Sequence, residues 1–207
     1  MNGETSDAIR WHDARDHGLA HDPLKAIVAP RPIGWISTFA ADGTPNLAPY
    51  SFFNLVSDKP KIVMFASVGW KDSATHAVAR GAFAANLATA EHARAVNESS
   101  AAMERGQSEF DRASLTPVPC RSVDAPMIDG NPAVLECRVT ETLVPRGVDG
   151  NKSHAVIVLG QVVGYWIDDA LLQDGLFDSA SARLLSRLGY FDYASVDETF
   201  SMPRPGA

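Results

Sequence analysis

Short apolar runs separated by proline, glycine and aspartate recur along the chain, and most of them are too short for helices. The run 33–39 is rich in β-branched and aromatic residues, and Ala41-Asp42-Gly43 after it supplies a turn. The next segment, 46–54, has the pattern of the returning strand or its irregular continuation. This spacing predicts a β-hairpin early in the fold.

Four later runs also have strand patterns. Residues 61–67 and 156–167 are apolar at both alternating sets of positions, which is typical of strands covered on both faces. Residues 82–88 form a short apolar run, and residues 133–140 alternate between an apolar and a polar face. The glycine- and aspartate-containing stretch 145–152 is predicted to be a hairpin loop.

Two helices are predicted among these strands. The first spans 72–80, with Asp72 as its N-cap candidate and Gly81 as its C-cap. The second is the alanine-rich stretch 89–103, and the polar segment 104–114 after it is expected to be exposed and mobile. Strands of similar length separated by hairpin turns favour a barrel or sandwich over an alternating βαβ sheet. The predicted fold class is mainly β, with a few helices.

Length and charge limit the choice of function. The 207 residues are expected to form one domain at 21–200, with an N-terminal tail at 1–20 and a C-terminal tail at 201–207. The 18 basic and 25 acidic residues give a net charge of -7, which opposes binding to nucleic acid or to anionic membranes. We therefore expect neither as a partner.

The chain also has the features of a cytoplasmic protein. Its first residues are polar and mixed in charge, unlike a secretory signal, and no apolar run is long enough for a membrane helix. Cys120 and Cys137 form no Cys-x-x-Cys pair, and His12, His17 and His21 match no metal-ligand spacing. We predict no disulfide and no metal site.

Common catalytic motifs are missing: the dinucleotide-binding Gly-x-Gly-x-x-Gly, the Walker loop, His-Glu-x-x-His and Gly-x-Ser-x-Gly. Within the stretch 31–73, the segments 31–38 and 46–54, Ser67 and the segment 71–73 instead concentrate hydroxyls, amides and one lysine at strand ends and at a helix start. There Lys71, Ser73 and Ser51 would suit a phosphate, although Asp72 would compete for the same backbone donors. The alternative is that Lys71-Asp72-Ser73 only begins a helix and that 46–54 is a turn-containing strand.

Six segments in a fixed order carry a family resemblance. They are RPIGWIST, DGTPNLAPYSFFNLVSDKP, KDSATHAVARGAFAANLAT, NPAVLECRV, HAVIVLGQVV and RLGY. In this order and at these separations they resemble the flavin reductase-like family of FMN-binding split-barrel proteins. The similarity runs from about residue 22 to about residue 193, and so favours a ligand site over the plainer alternative.

The resemblance implies a six-stranded Greek-key split barrel, a homodimer, and FMN bound at the subunit boundary. The flavin-contacting positions it implies are Ser37, Thr38, Ala48, Pro49, Tyr50, Ser51, Phe52, Asn54, Ser67, Lys71, Asp72 and Ser73. Lys71 and Ser73 would hold the phosphate, and backbone N–H groups of 48–52 would serve the ring. His154 is expected near the flavin edge or the nicotinamide, with an exposed histidine at a strand start as its alternative.

The implied activity is that of an NAD(P)H-dependent flavin reductase that passes electrons to free flavin, oxygen or a partner monooxygenase. An FMN-dependent reductase of a small organic acceptor and a non-catalytic flavin-storage or flavin-sensing protein are the alternatives. Sequence leaves NADH or NADPH open as co-substrate, with Arg31, Arg146 and Arg183 as candidates to contact a 2′-phosphate. The aromatic residues Trp35, Tyr50, Phe52 and Trp166 are expected to pack in the core rather than on the flavin.

Overall fold

A single antiparallel sheet of seven strands dominates the computed structural model, which describes residues 9–103 and 108–206. The strands are β1 (Gly34–Phe39), β2 (Pro45–Tyr50), β3 (Phe53–Asp58), β4 (Lys61–Val68), β5 (Ala82–Leu87), β6 (Ala133–Leu143) and β7 (Ala155–Ile167). Their order across the sheet is β2-β1-β5-β6-β7-β4-β3. The fold is mainly β, as predicted, with seven strands in this sheet rather than six.

The two edge strands of the sheet, β2 and β3, are consecutive in the chain. Only Ser51 and Phe52 separate them, so the opposite edges of the sheet are brought together and the sheet curls into an incomplete barrel. The Ala66 N–H donates to the Phe52 carbonyl at 2.8 Å, which holds the link against β4. From the sequence alone this region is predicted to be one segment, 46–54, because its apolar run continues across the link.

Smaller elements surround the sheet. The helices are α1 (Leu24–Ile27), α2 (Asp72–Arg80), α3 (Ala93–Glu98) and α4 (Glu109–Arg112), with 3-10 turns at Ala90–His92 and Asp169–Leu171. Short strands pair as Pro117–Pro119 with Pro126–Ile128, Leu172–Gln173 with Leu176–Phe177, and Arg31–Pro32 with Leu185–Arg187, which also pairs with Tyr193–Ser195. No helix in the described part of the chain is both long and apolar enough to cross a membrane.

Strand β1 contributes to two hydrophobic cores, one on each of its faces. Ile36 packs inside the barrel with Phe65 and Phe83, while Trp35 packs in a second cluster that includes Phe110. Trp35 is fully buried, as predicted. Both clusters exclude water from a large apolar area, so β1 is held firmly from both sides.

Helix α2 packs against the interior cluster of the barrel through Ala74 and Ala77. It ends at Gly81, whose left-handed backbone (φ 66°) is the conformation that glycine adopts without strain. Its first turn differs from the prediction: Lys71 occupies the N-cap position, Asp72 lies inside the helix, and no side chain of residues 9–103 or 108–206 caps the N-terminus. The extended backbone of Lys71 places the helix boundary one residue earlier than the acidic N-cap rule suggested.

The second predicted helix is shorter than expected, because α3 ends at Glu98. Beyond it, the Ser99 and Ser100 hydroxyls donate to the Val96 and Asn97 carbonyls, and this side-chain bonding competes with further helix. The expectation of an exposed segment at 104–114 is wrong for Glu109 and Phe110, which are buried residues of α4. Residues 104–107 of that segment lie outside the described residues.

The loop after the strand Pro117–Pro119 is attached to the sheet by Glu136. Its carboxylate accepts hydrogen bonds from the Arg121 N–H, the Ser122 N–H and the Trp166 indole N–H, each at 2.7 Å. Glu136 is 1% exposed. Burial alone would raise the pKa of Glu136, but these hydrogen bonds outweigh burial and hold the pKa below its ordinary value.

We expect Glu136→Gln to lower the free energy of unfolding by about 2–3 kcal/mol at pH 7, because the amide NH2 would face a backbone donor. Because the pKa of Glu136 is lower in the folded state, its ionised carboxylate stabilises the protein at pH values above the unfolded pKa of about 4.3. This contribution to stability is lost as the pH falls through the folded-state pKa. The difference between wild type and variant should therefore shrink in acid. Urea unfolding from pH 7 to pH 3 measures it, with the exposed Glu91→Gln as control. An equal effect of both substitutions would contradict this role.

Candidate functional site

A polar cleft of about 350 Å³ opens at the start of α2. One wall carries Asn46, Ala48, Pro49 and Tyr50 from β2, together with Lys71, Asp72 and Ser73. Residues 99–103 and Glu109 form the opposite wall. This volume lies within the range of small-molecule sites, which is roughly 300–1,000 Å³.

The hydroxyls of Tyr50 and Ser73 line this cleft, and the Ser67 hydroxyl lies behind it, next to Tyr50. The Ser67 hydroxyl is buried and has no hydrogen-bond partner among the described residues. The Ser73 hydroxyl donates to Asn46 Oδ1 at 2.8 Å. Burial raises the pKa of Tyr50 and outweighs the opposing effect of the neighbouring Ser73 and Ser67 hydroxyls, so the phenol stays neutral at physiological pH.

The N-terminus of α2 faces this group with unbonded backbone donors. The first hydrogen bond of the helix runs from the Thr75 N–H to the Lys71 carbonyl at 2.9 Å. Earlier N–H groups precede that bond, and no side chain in the described part of the chain caps them. An oxyanion such as a phosphate suits this group of donors and charges. The group consists of the backbone N–H groups, the helix dipole, the Lys71 ammonium and the unpartnered Ser67 hydroxyl.

Two of the residues predicted from the sequence do not reach this cleft. Ser37 is fully buried, donates to the Pro126 carbonyl at 2.6 Å and accepts from Asn86 Nδ2 at 2.9 Å. Thr38 is also fully buried and donates to Asn46 Oδ1 at 3.2 Å. Their hydroxyls are satisfied within the protein, so both residues support the site from behind it.

Three other predicted residues, Ser51, Phe52 and Asn54, line a second cleft of about 430 Å³. Its opposite side is formed by residues 27–32. Predicted positions 48–54 are thus divided between two clefts at the link from β2 to β3. His154 is exposed, and its carbonyl accepts a hydrogen bond from the Gly69 N–H at 2.7 Å, close to the start of α2.

Two residues of the polar cleft are not predicted from the sequence. Asn46 lies in one of the family segments but has no role predicted for it, and Glu109 falls in the segment predicted to be exposed. Glu109 Oε2 accepts hydrogen bonds from Asn46 Nδ2 at 3.1 Å and from the Leu47 N–H at 3.2 Å. The signal available for α4 was its N-cap: the Ser108 hydroxyl accepts from the Phe110 N–H at 3.2 Å.

The three arginines considered for a 2′-phosphate are engaged elsewhere. The Arg31 guanidinium is buried and donates to the carbonyls of Lys25, Val28 and Leu188. Arg183 pairs with Asp197 at 3.0 Å, and Arg146 donates to the Gly150 carbonyl at 2.8 Å. In particular, Arg31 fastens α1 to the C-terminal part of the chain.

Comparison with known families identifies the fold. The model of the flavin reductase like domain matches residues 28–187, which is most of the chain. The protein belongs to the flavin reductase-like family. The resemblance noted from the six sequence segments is confirmed, and with it the split-barrel fold.

Relatives of this flavin reductase-like protein span nearly its whole length. An uncharacterised protein of Halalkalibacterium halodurans is 36% identical over 188 residues, covering 88% of this chain and 89% of the relative. The structure of nitrilotriacetate monooxygenase component B from Bacillus cereus superposes with a TM-score of 0.85 at 24% identity, covering 95% of this chain and all of that one. For 2-nitrobenzoate 2-nitroreductase from Pseudomonas fluorescens the TM-score is 0.78 at 22% identity, with 88% and 89% covered.

Ser37 and Ser67 are a matched pair for testing which hydroxyl supports the fold of this flavin reductase-like protein. Ser37→Ala should lower the free energy of unfolding by about 1–3 kcal/mol, because it removes two buried hydrogen bonds. Ser67→Ala removes a buried hydroxyl without a partner, so it should leave stability unchanged or raise it by up to about 1 kcal/mol. Chemical denaturation of the flavin-free protein measures both, and equal losses would contradict the assignment.

Proposed function

We propose that the protein is an NAD(P)H-dependent flavin reductase that binds FMN in the polar cleft. The observation that carries this proposal is the set of unsatisfied donors at the start of α2, in a member of the flavin reductase-like family. These donors match the charge and size of a terminal phosphate. The flavin ring would then extend toward the link between β2 and β3.

Lys71 and the first-turn N–H groups of α2 would hold the phosphate, together with the Ser67 hydroxyl. Ser73 donates its hydroxyl proton to Asn46 Oδ1. Its side chain would offer the ligand a lone pair unless the hydroxyl rotates. Asp72, which has no capping bond, leaves the backbone donors available.

FMN supplies the capacity to accept a hydride and to pass electrons on when it is bound. The protein has to hold the ring in a fixed orientation, provide donors to its polar edge and exclude water. Backbone groups of 48–52 would serve the ring edge, and the second cleft, beside Phe52, would admit the co-substrate. None of these tasks requires a catalytic acid–base pair, and His154 would contribute at most at the rim.

The final electron acceptor is the second part of the proposal. Similarity to a monooxygenase component supports transfer of electrons to free flavin or to a partner monooxygenase. Similarity to a nitroreductase favours a second candidate, the FMN-dependent reduction of a small aromatic acceptor. The apolar and aromatic side chains of the second cleft, Ile27, Phe52 and Met64, suit such an acceptor.

We also propose that the protein is a homodimer. Exposed apolar side chains include Leu55 on β3, Tyr165 and Ile167 on β7, and Leu176 and Phe177 after it. Several of these residues line an apolar cleft of about 320 Å³. A contiguous apolar surface of this kind is rare on a monomer, and a second copy of the chain would cover it and close the flavin site.

Anaerobic addition of NADH or NADPH to the FMN-loaded protein tests the proposed activity. We expect the flavin absorption to bleach, and to recover with turnover when oxygen or free FMN is added. Bound flavin without bleaching would indicate a storage protein, and turnover only with an aromatic acceptor would favour the second candidate. A protein that binds neither FMN nor FAD would overturn the flavin assignment.

Lys71→Ala should weaken FMN binding by about ten- to a hundredfold, because a charged contact to the phosphate is lost. Riboflavin has no phosphate, so its affinity should hardly change in the same variant. Lys61→Ala, at the opposite end of β4, is the matched control. Fluorescence titration of the flavin-free protein measures each affinity, and equal losses for both flavins would refute the phosphate contact.

The mass of the protein in solution tests the assembly. Light scattering at micromolar concentration should give twice the mass of one chain, and Tyr165→Asp should shift it toward the mass of one chain because a charge would enter the apolar face. Val148→Asp is the matched control, since Val148 is exposed on the loop between β6 and β7. A monomeric wild-type protein with flavin bound would be incompatible with the proposed dimer.

A further inference from the structure

Glu109 places a buried carboxylate in the wall of the polar cleft. The residue is 9% exposed and is held against β2 from the first turn of α4. The Ser108 hydroxyl donates to the Pro45 carbonyl at 2.8 Å and fastens the same helix. Burying a charged group is costly unless it is hydrogen-bonded, so each oxygen of this carboxylate has to be accounted for.

The two oxygens of Glu109 have different surroundings. Oε2 accepts from Asn46 Nδ2 and from the Leu47 N–H. Oε1 has no donor among residues 9–103 and 108–206. An ionised carboxylate only accepts hydrogen bonds, and each oxygen has room for two. The group at Oε1 therefore has to be a donor.

The nearby hydroxyls in the cleft walls direct their protons elsewhere. Ser73 donates to Asn46 Oδ1 at 2.8 Å. Ser99 accepts from the Trp35 indole N–H at 2.9 Å and donates to the Val96 carbonyl at 3.1 Å. Ser100 donates to the Asn97 carbonyl at 2.6 Å. These serines are thus occupied, and the cleft is open to a donor from a ligand.

We infer that Glu109 binds the sugar-alcohol part of the flavin, accepting a hydrogen bond from a hydroxyl of its ribityl chain. This inference rests on the proposed function. Lys71 and Glu109 line the same cleft, and their opposite charges separate the parts of the ligand. The anionic phosphate is favoured beside Lys71 and disfavoured beside Glu109. The Glu109 carboxylate instead accepts hydrogen bonds from neutral hydroxyls. Glu109 thereby contributes to the choice of a ligand with a polyol next to its phosphate.

Three flavins with successively longer side chains test this role. Lumiflavin has the ring alone, riboflavin adds the ribityl chain, and FMN adds the phosphate. Glu109→Gln keeps an amide oxygen for Asn46 and Leu47 and replaces Oε1 by an NH2 group. We expect the variant to bind riboflavin about three- to tenfold more weakly, because a charge-assisted hydrogen bond is replaced by a weaker one. Lumiflavin affinity should stay within about twofold of the wild type.

Controls separate ligand binding from other effects of the substitution. Glu91→Gln makes the same chemical change at an exposed position outside the cleft and should alter no affinity. Asp72→Asn also removes a negative charge from the cleft wall, and it should strengthen FMN binding without changing riboflavin binding. Thermal unfolding of each flavin-free variant reports any loss of the α4 anchor.

The outcomes distinguish this inference from the proposed function. If Glu109→Gln weakens lumiflavin and riboflavin equally, Glu109 only shapes the fold or the ring site, and the inference is wrong. It is equally wrong if neither affinity changes. If the wild-type protein binds none of the three flavins, the proposed function itself fails.

Discussion

Asn46 hydrogen-bonds to side chains from three other elements, and the geometry of the polar cleft depends on these bonds. Its amide oxygen accepts from Thr38 on β1 and from Ser73 on α2, and its amide nitrogen donates to Glu109 on α4. All four residues are buried. Loss of any one partner would leave a buried polar group without a hydrogen bond from the protein, which is costly.

The curl of the sheet places this network next to the ligand cleft. Because β2 and β3 are joined by two residues, the barrel edges meet beside the N-terminus of α2. The same link divides the surroundings into a polar cleft, suited to a phosphate and a polyol, and a second cleft with apolar and aromatic walls. A bound flavin has the same division between a polar side chain and a flat aromatic ring.

Two buried glutamates in this fold have different surroundings. Both oxygens of Glu136 accept protein donors, so that residue attaches a loop to the sheet. Glu109 has its protein donors on one oxygen within the described chain, and it lines a cleft. The number of donors at each oxygen is therefore more informative about a role than burial alone.

Sequence periodicity located the strands well because side-chain alternation is a local property. The predicted runs 61–67, 82–88 and 156–167 lie within one residue of β4, β5 and β7. The strand β3 was missed because its apolar run follows that of β2 with only a two-residue break. The helix predicted at 89–103 was too long because serine hydroxyls beyond Glu98 compete for its carbonyls.

By itself, the sequence determined the mainly β fold, the family, and the position of Lys71 at the start of a helix, since these follow from local patterns and from the order of motifs. The direction of each buried hydroxyl was decided only by tertiary structure. The resemblance implies that Ser37 contacts a ligand, but its hydroxyl bonds to Pro126 and Asn86. The sequence pattern predicts that Glu109 is exposed, but α4 packs it against β2. Hydrogen-bond partners such as Asn46 and Glu109, 63 residues apart, are brought together only when the sheet curls.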